Sequence, residues 1–179
     1  WPQKQVKDAI WAADLLKVVR DDVHLLIIGD GPQRSRLRRY RDQIEIRDKV
    51  HFLGHRQDAA GIIPHLDMLW STSAYEGQSN SIMEAMSAAV PVVATDIPGT
   101  RDLVLHEKTG YLVPFFGLDT GRRRALFARH AVTLLDDDEL ARRMGDSARE
   151  RMLSQFNVEK MVGRHVELYR ELLEANDDR

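Results

Sequence analysis

The chain has 179 residues, 43% of them hydrophobic, so it is within the size of one domain and can bury a real core. Its 26 basic and 28 acidic residues leave a net charge of −2, which supplies no bulk attraction to nucleic acid. Without cysteine there is neither a disulfide framework nor a catalytic thiol, and no apolar run approaches the roughly 20 residues that span a bilayer. These features fit a cytoplasmic protein. No signal-peptide pattern opens the chain, and its abrupt start at Trp1-Pro2-Gln3-Lys4 reads as part of a longer polypeptide.

In chain order, Val6, Ile10, Ala13, Leu16 and Val19 recur at helical spacing and predict an amphipathic helix over about 5–20. His24-Leu25-Leu26-Ile27-Ile28 is a short apolar run, as in a strand covered on both faces, and it ends at Gly29-Asp30-Gly31-Pro32. Pro32 is expected in the first turn of a helix reaching about Ile46. A second strand spans Val50–Leu53 and closes at Gly54; a short helix over about 57–64 and a third strand, Asp67–Ser71, follow. Next come a helix over Ser81–Ala89, a fourth strand, Pro91–Thr95, a break at Pro98-Gly99, a short helix near 100–105 and a fifth strand, Gly110–Pro114. From about 119 onward the pattern is helical, with turns near Asp136-Asp137-Asp138 and Phe156-Asn157.

Strands alternating with helices predict a doubly wound α/β sheet, mostly parallel and Rossmann-like, with a helical C-terminal tail. Ligands of such sheets bind outside the carboxyl ends of the strands. The loops Gly29–Pro32, Gly54–Arg56, Ser73–Ser81 and Asp96–Thr100 all follow strands, so they are expected to share one rim. Glu76 and Glu84 bracket Gly77-Gln78-Ser79-Asn80-Ser81, where a polar loop enters a helix. Two carboxylates beside the free amides of a helix start suit a phosphate flanked by hydroxyl-rich groups. Ser81-x-x-Glu84 also fits a capping box. Gly29-Asp30-Gly31 begins like a dinucleotide fingerprint, but Arg34 stands at the third glycine position.

Five motifs follow one another in the chain: Ile28-Gly29-Asp30-Gly31-Pro32, Val50-x-Phe52-Leu53-Gly54, Glu76-Gly77-x-x-Asn80-x-x-x-Glu84-Ala85-Met86, Pro91-Val92-Val93-Ala94-Thr95-Asp96 and Thr109-Gly110-Tyr111-Leu112-Val113-Pro114. In their order and spacing the chain over Ile27–Pro114 resembles the donor-binding domain of retaining glycosyltransferases of family 4, which have the two-domain GT-B architecture. Lys4 and the helix after it extend the resemblance to the N-terminus. It implies that Glu76 contacts the transferred sugar and that Glu84 accepts hydrogen bonds from both ribose hydroxyls. Amides around Ser79, Asn80 and Ser81, with Gly77 and Gln78 in the same loop, would hold sugar and phosphate. Lys4 would clamp the pyrophosphate, normally beside an upstream arginine that would precede Trp1. Gly29 and Gly31 would line the rim, and Gly54 to Arg56 would lie beside the nucleobase.

The resemblance further implies transfer of a sugar from a nucleotide diphosphate sugar to an acceptor hydroxyl, with retention and without a metal or other cofactor. All of 1–179 would then be the donor domain, with the acceptor domain elsewhere in the parent, and the isolated chain is expected to bind weakly and transfer nothing. Three departures bear on sugar choice and phosphate contacts: Gln78-Ser79 replaces the commoner apolar-proline pair, Pro98-Gly99 a paired glycine, and Asp102 a glutamate. A nucleotide-sugar binding module without catalysis and a glycoside hydrolase using paired carboxylates are the alternatives. The arginines at 34, 36, 38, 39 and 41 and at 122–124 read as solvated faces or as a basic patch for an anionic membrane. The acidic run 136–138 reads as the start of a helix rather than a metal motif.

Overall fold

The structure is a computed structural model that describes residues 1–177, with side chains described through 175; the last two residues of the domain expected over 1–179 lie outside the described residues. A single turn of 3-10 helix (Pro2–Lys4) leads into α1 (Val6–Val19). The order is then β1 (Leu25–Ile28), α2 (Arg34–Gln43), β2 (Val50–Gly54), α3 (Ala59–Ile62), β3 (Leu69–Ser71), α4 (Asn80–Ser87), β4 (Val92–Asp96), α5 (Pro98–Arg101) and β5 (Gly110–Pro114). Three helices close the chain: α6 (Thr120–Asp136), α7 (Asp138–Gln155) and α8 (Val158–Asp177).

Every strand pairing is parallel. β1 lies beside β2 with Leu25 opposite Val50, and β3-β4-β5 form a second sheet in which Val92 is flanked by Leu69 and Gly110. Parallel neighbours need crossover connections, and α2, α4 and the α5 segment supply them. The Val92–Ala94 stretch of β4 is apolar because of what packs against it. Val92 and Ala94 pack with Ile82, Met86, Ala148 and Met152 from α4 and α7, while Val93 turns to Ala12, Phe127 and Leu134 from α1 and α6. Both faces are therefore covered, and a side chain such as Ile82 or Met86 contributes about 1.5–3 kcal/mol when fully buried. The two sheets share the cover of α1: Ile10 and Ala13 pack with Leu25, Ile27 and Val50, and Trp70 of β3 joins the same cluster.

Three boundaries depart from expectation. Pro32 precedes α2, which starts at Arg34 after Gln33, because the Gly29–Pro32 turn must first leave the end of β1. Pro98-Gly99 opens α5 rather than breaking the chain ahead of it; proline without an N–H is tolerated in a first turn. α4 begins at Asn80, so Ser81 and Glu84 both lie inside the helix and no capping box forms. The turns near 136–138 and 156–157 separate α6, α7 and α8 as expected, and Asp137 caps α7 by accepting from the Leu140 amide at 2.9 Å. Asp136 is held by Arg20 at 2.6 Å. Among the described residues no helix is long and apolar enough to cross a membrane.

Candidate functional site

The rim at the carboxyl ends of the strands is built around the entry of the chain into α1. Gln3 accepts a hydrogen bond from the Ala74 amide at 2.7 Å, and Thr72 donates its hydroxyl to the Lys4 carbonyl at 2.9 Å. These bonds fix the 3-10 turn against the loop after β3. Lys4 Nζ consequently meets Glu76 Oε1 at 2.5 Å, across 72 residues of sequence. Ser73 Oγ donates to the same oxygen at 2.7 Å. The Glu76 side chain is only 13% exposed against 43% for Lys4, so the carboxylate is the anchored partner and the ammonium the one nearer solvent. Glu76 Oε2 has no hydrogen-bond partner among the described residues.

Gly77 and Gln78 continue the loop, exposed, to Ser79, which is buried and stands at the N-cap of α4. No side chain caps this helix; the Ser79 and Ser81 hydroxyls meet each other at 3.1 Å instead. The first-turn amides of α4 are therefore left for solvent or for an anion, at the end that carries roughly half a positive charge. Asn80 is exposed at the start of that turn. Glu84 is exposed a turn further on, without a side-chain hydrogen bond among the described residues. It borders a cleft of about 380 Å³ between α3 and α4, walled by Ala60, Ile63, Met83 and Ala88 with Asn80 and Ser87.

The glycine loops complete the rim. Gly29 and Gly54 adopt φ of +116° and +71°, conformations that favour glycine at a turn off a buried strand. The Gly29 amide donates to the Gly54 carbonyl, which ties the ends of β1 and β2 together. Gly31 lies against the backbone nitrogen of Trp1. Arg34, the residue that spoils the dinucleotide fingerprint, lies over Gly54 and pairs with Asp30 at 2.7 Å. That rim cation was not singled out by the motif reading, although the Asp30–Arg34 spacing of four was a visible signal. Arg56 turns away to Asp58 at 2.5 Å and is exposed. Lys4, Ser73 and Glu76 are thus brought into contact, whereas Glu84 and Arg56 face separate surroundings.

Arg123 and Arg124 do not form an outward basic patch. Both reach the buried carboxylate of Asp8, Arg123 Nη2 at 2.8 Å and Arg124 Nη2 at 2.6 Å, and their guanidinium planes lie over Phe115 and Trp11. The patch reading fails because one inward-facing aspartate on α1 outweighs solvent for two neighbouring arginines. On α2, Arg38 and Arg41 cover the Phe52 ring, while Arg36 and Arg39 are exposed.

Comparison with known proteins supplies the wider context. A family model described as glycosyl transferases group 1 matches residues 1–137. The chain is 34% identical over 171 residues to N-acetyl-alpha-D-glucosaminyl L-malate synthase of Bacillus anthracis, covering 95% of this chain and 43% of that protein. It superposes with a TM-score of 0.86, at 26% identity, on a mutant of TarM from S. aureus in complex with Fondaparinux, alpha-GlcNAc-glycerol and UDP; 94% of this chain and 33% of that one are covered. HepE of Anabaena in complex with UDP-glucose shares the fold at a TM-score of 0.84 and 24% identity, over 96% of this chain and 46% of that one. These neighbours are GT-B glycosyltransferase structures. The chain spans less than half the length of each of the three.

Proposed function

This chain belongs to the glycosyl transferases group 1, and on that footing we propose that it is the donor-binding half of a retaining, metal-independent glycosyltransferase of family 4. It binds a nucleotide diphosphate sugar, and the remainder of the parent polypeptide delivers the acceptor hydroxyl. The observation that carries this reading is the meeting of Lys4 with Glu76 beside the uncapped N-terminus of α4. A cation, free amides and a fixed carboxylate on one rim are what a sugar diphosphate requires.

Each residue then has a task. Lys4 and the amides of Ser79, Asn80 and Ser81 hold the diphosphate and stabilise it as it leaves; charge stabilisation by preorganised groups is often the largest catalytic effect. Glu84 accepts from the ribose hydroxyls, with the adjoining apolar cleft on the nucleoside side. Glu76 faces the transferred sugar, while Gly77 and Gln78 shape its surroundings. Gly29, Gly31 and Gly54 let the donor approach the backbone, and Arg56 lies at the nucleobase side once released from Asp58. When the diphosphate arrives, Lys4 exchanges Glu76 for the phosphate oxygens. The Lys4–Glu76 ion pair is thereby a placeholder for the charge of the ligand.

A calorimetric panel of UDP, UDP-N-acetylglucosamine, UDP-glucose and other nucleotide sugars, run with and without EDTA, tests this reading. Binding that survives chelation and weakens in Lys4→Ala supports it. Affinity that collapses with EDTA would refute the metal-independent part, and no binding to any member would refute the donor-site reading as a whole.

A further inference from the structure

The geometry points to Ser73 as a positioning residue for Glu76, the last link of a buried ladder of hydroxyls that fixes one carboxylate oxygen and leaves the other for the sugar. This rests on the reading of Glu76 as the carboxylate that faces the transferred sugar. The ladder starts on α5, where Thr100 Oγ1 donates to the Thr95 carbonyl and accepts from the Ile97 amide at 3.2 Å. Thr95 Oγ1 in turn donates to the Ser73 carbonyl at 2.5 Å. Ser73 Oγ then donates to Glu76 Oε1 at 2.7 Å. Each hydroxyl therefore secures the residue that carries the next. Thr95 and Thr100 are fully buried and Ser73 is 2% exposed, so water does not compete along the ladder.

The same loop is held from behind. A Cβ placed on Gly99 would stand 1.9 Å from the Gly77 carbonyl oxygen and 2.3 Å from that of Glu76, so the backbone of the loop rests directly on α5. Side chain and main chain of Glu76 are thus tied to the same element by two independent routes. The arrangement matters most once the donor binds. Lys4 and Ser73 both bind Oε1, and when Lys4 leaves for the diphosphate only Ser73 remains to orient the carboxylate. Ser73-x-x-Glu76, rather than Ser81-x-x-Glu84, is the serine–glutamate pair at this spacing that forms a hydrogen bond.

Ser73→Ala, Glu76→Gln and the double variant, each in the full-length protein, test this with UDP release from UDP-N-acetylglucosamine, UDP-glucose and the other donors of the binding panel as the readout. Ser73→Ala should lower kcat about tenfold, with KM and inhibition by UDP within about twofold of wild type. Glu76→Gln should lower kcat further, and adding Ser73→Ala to it should change nothing more. A melting temperature followed alongside separates folding from positioning. Ser73→Ala at the wild-type rate while Glu76→Gln is impaired would overturn the positioning role alone. That role is overturned equally if the two effects multiply in the double variant, or if Ser73→Ala loses UDP affinity together with turnover. Glu76→Gln at the wild-type rate would instead overturn the reading of Glu76 on which the proposal stands.

Discussion

Gly99→Ala perturbs the loop that carries Glu76 by adding one methyl group and removing no polar group. Its Cβ would meet the Gly77 carbonyl oxygen at 1.9 Å and the Glu76 carbonyl oxygen at 2.3 Å, where even a favourable C–H···O contact needs roughly 3.3 Å. The loop must therefore retreat by about 1 Å or more, since α5 behind it is anchored by the buried Thr100. Overpacking of this kind costs about 1–3 kcal/mol, to be read as a lower urea midpoint for the isolated chain with an unchanged m-value. Misplacing a group by about 1 Å costs on the order of a hundredfold in rate. Turnover by the full-length variant should fall accordingly, while UDP, whose proposed contacts are Lys4, α4 and Glu84, should bind within a few-fold of wild type. Wild-type turnover and an unshifted midpoint would refute the bracing of the Glu76 loop by α5.

Asp8→Asn should be the most destabilising of the charge-removing changes, because it leaves Arg123 and Arg124 facing each other in a buried setting; breaking such a network costs about 3–5 kcal/mol, measurable by chemical denaturation, whereas Asp58→Asn at the exposed Arg56 pair should leave the midpoint unmoved. Burial first, and the neighbouring His106 second, hold His130 down to about 4 from its ordinary 6.5. The unfolded chain therefore binds more protons than the folded one between those values, so this contribution to stability is intact above pH 6.5 and is lost as the pH falls toward 4. Melting temperatures across that range should drop, and His130→Phe, which keeps an aromatic ring stacked on Tyr111, should flatten the decline.

Local signals carried most of the architecture. The Val92–Ala94 stretch of β4 could be read because helices cover both of its faces, which confines the polar residues of the strand, Thr95 and Asp96, to its carboxyl end. The tail helices were legible through their turns, where Asp137 caps α7 and Asn157 accepts from the Lys160 amide. What escaped the reading depends on packing between distant segments. The start of α4 was misplaced because Ser79 and Ser81 are equally good caps on paper, and only the fold shows their hydroxyls turned to each other. Arg123 and Arg124 looked like surface charges because their partner, Asp8, lies more than a hundred residues away. Thr95 and Thr100 looked like ordinary strand-end and helix residues, and their hydroxyls gain a role only where β3, β4 and α5 meet.

The division of labour between the two glutamates is the central claim, and calorimetry on Glu84→Gln and Glu76→Gln with UDP and with the intact donor, alongside turnover of the full-length proteins, measures it directly. Glu84→Gln should weaken UDP and donor alike by about ten- to a hundredfold, the loss of charge-assisted hydrogen bonds of ~1.5–3 kcal/mol. Its melting temperature should hold, because Glu84 caps no helix. Glu76→Gln should leave UDP affinity intact or slightly improved, since Lys4 is freed from its ion pair, and should act chiefly on kcat. If Glu76→Gln loses UDP as severely as Glu84→Gln does, Glu76 does not face the transferred sugar and the proposed division is wrong.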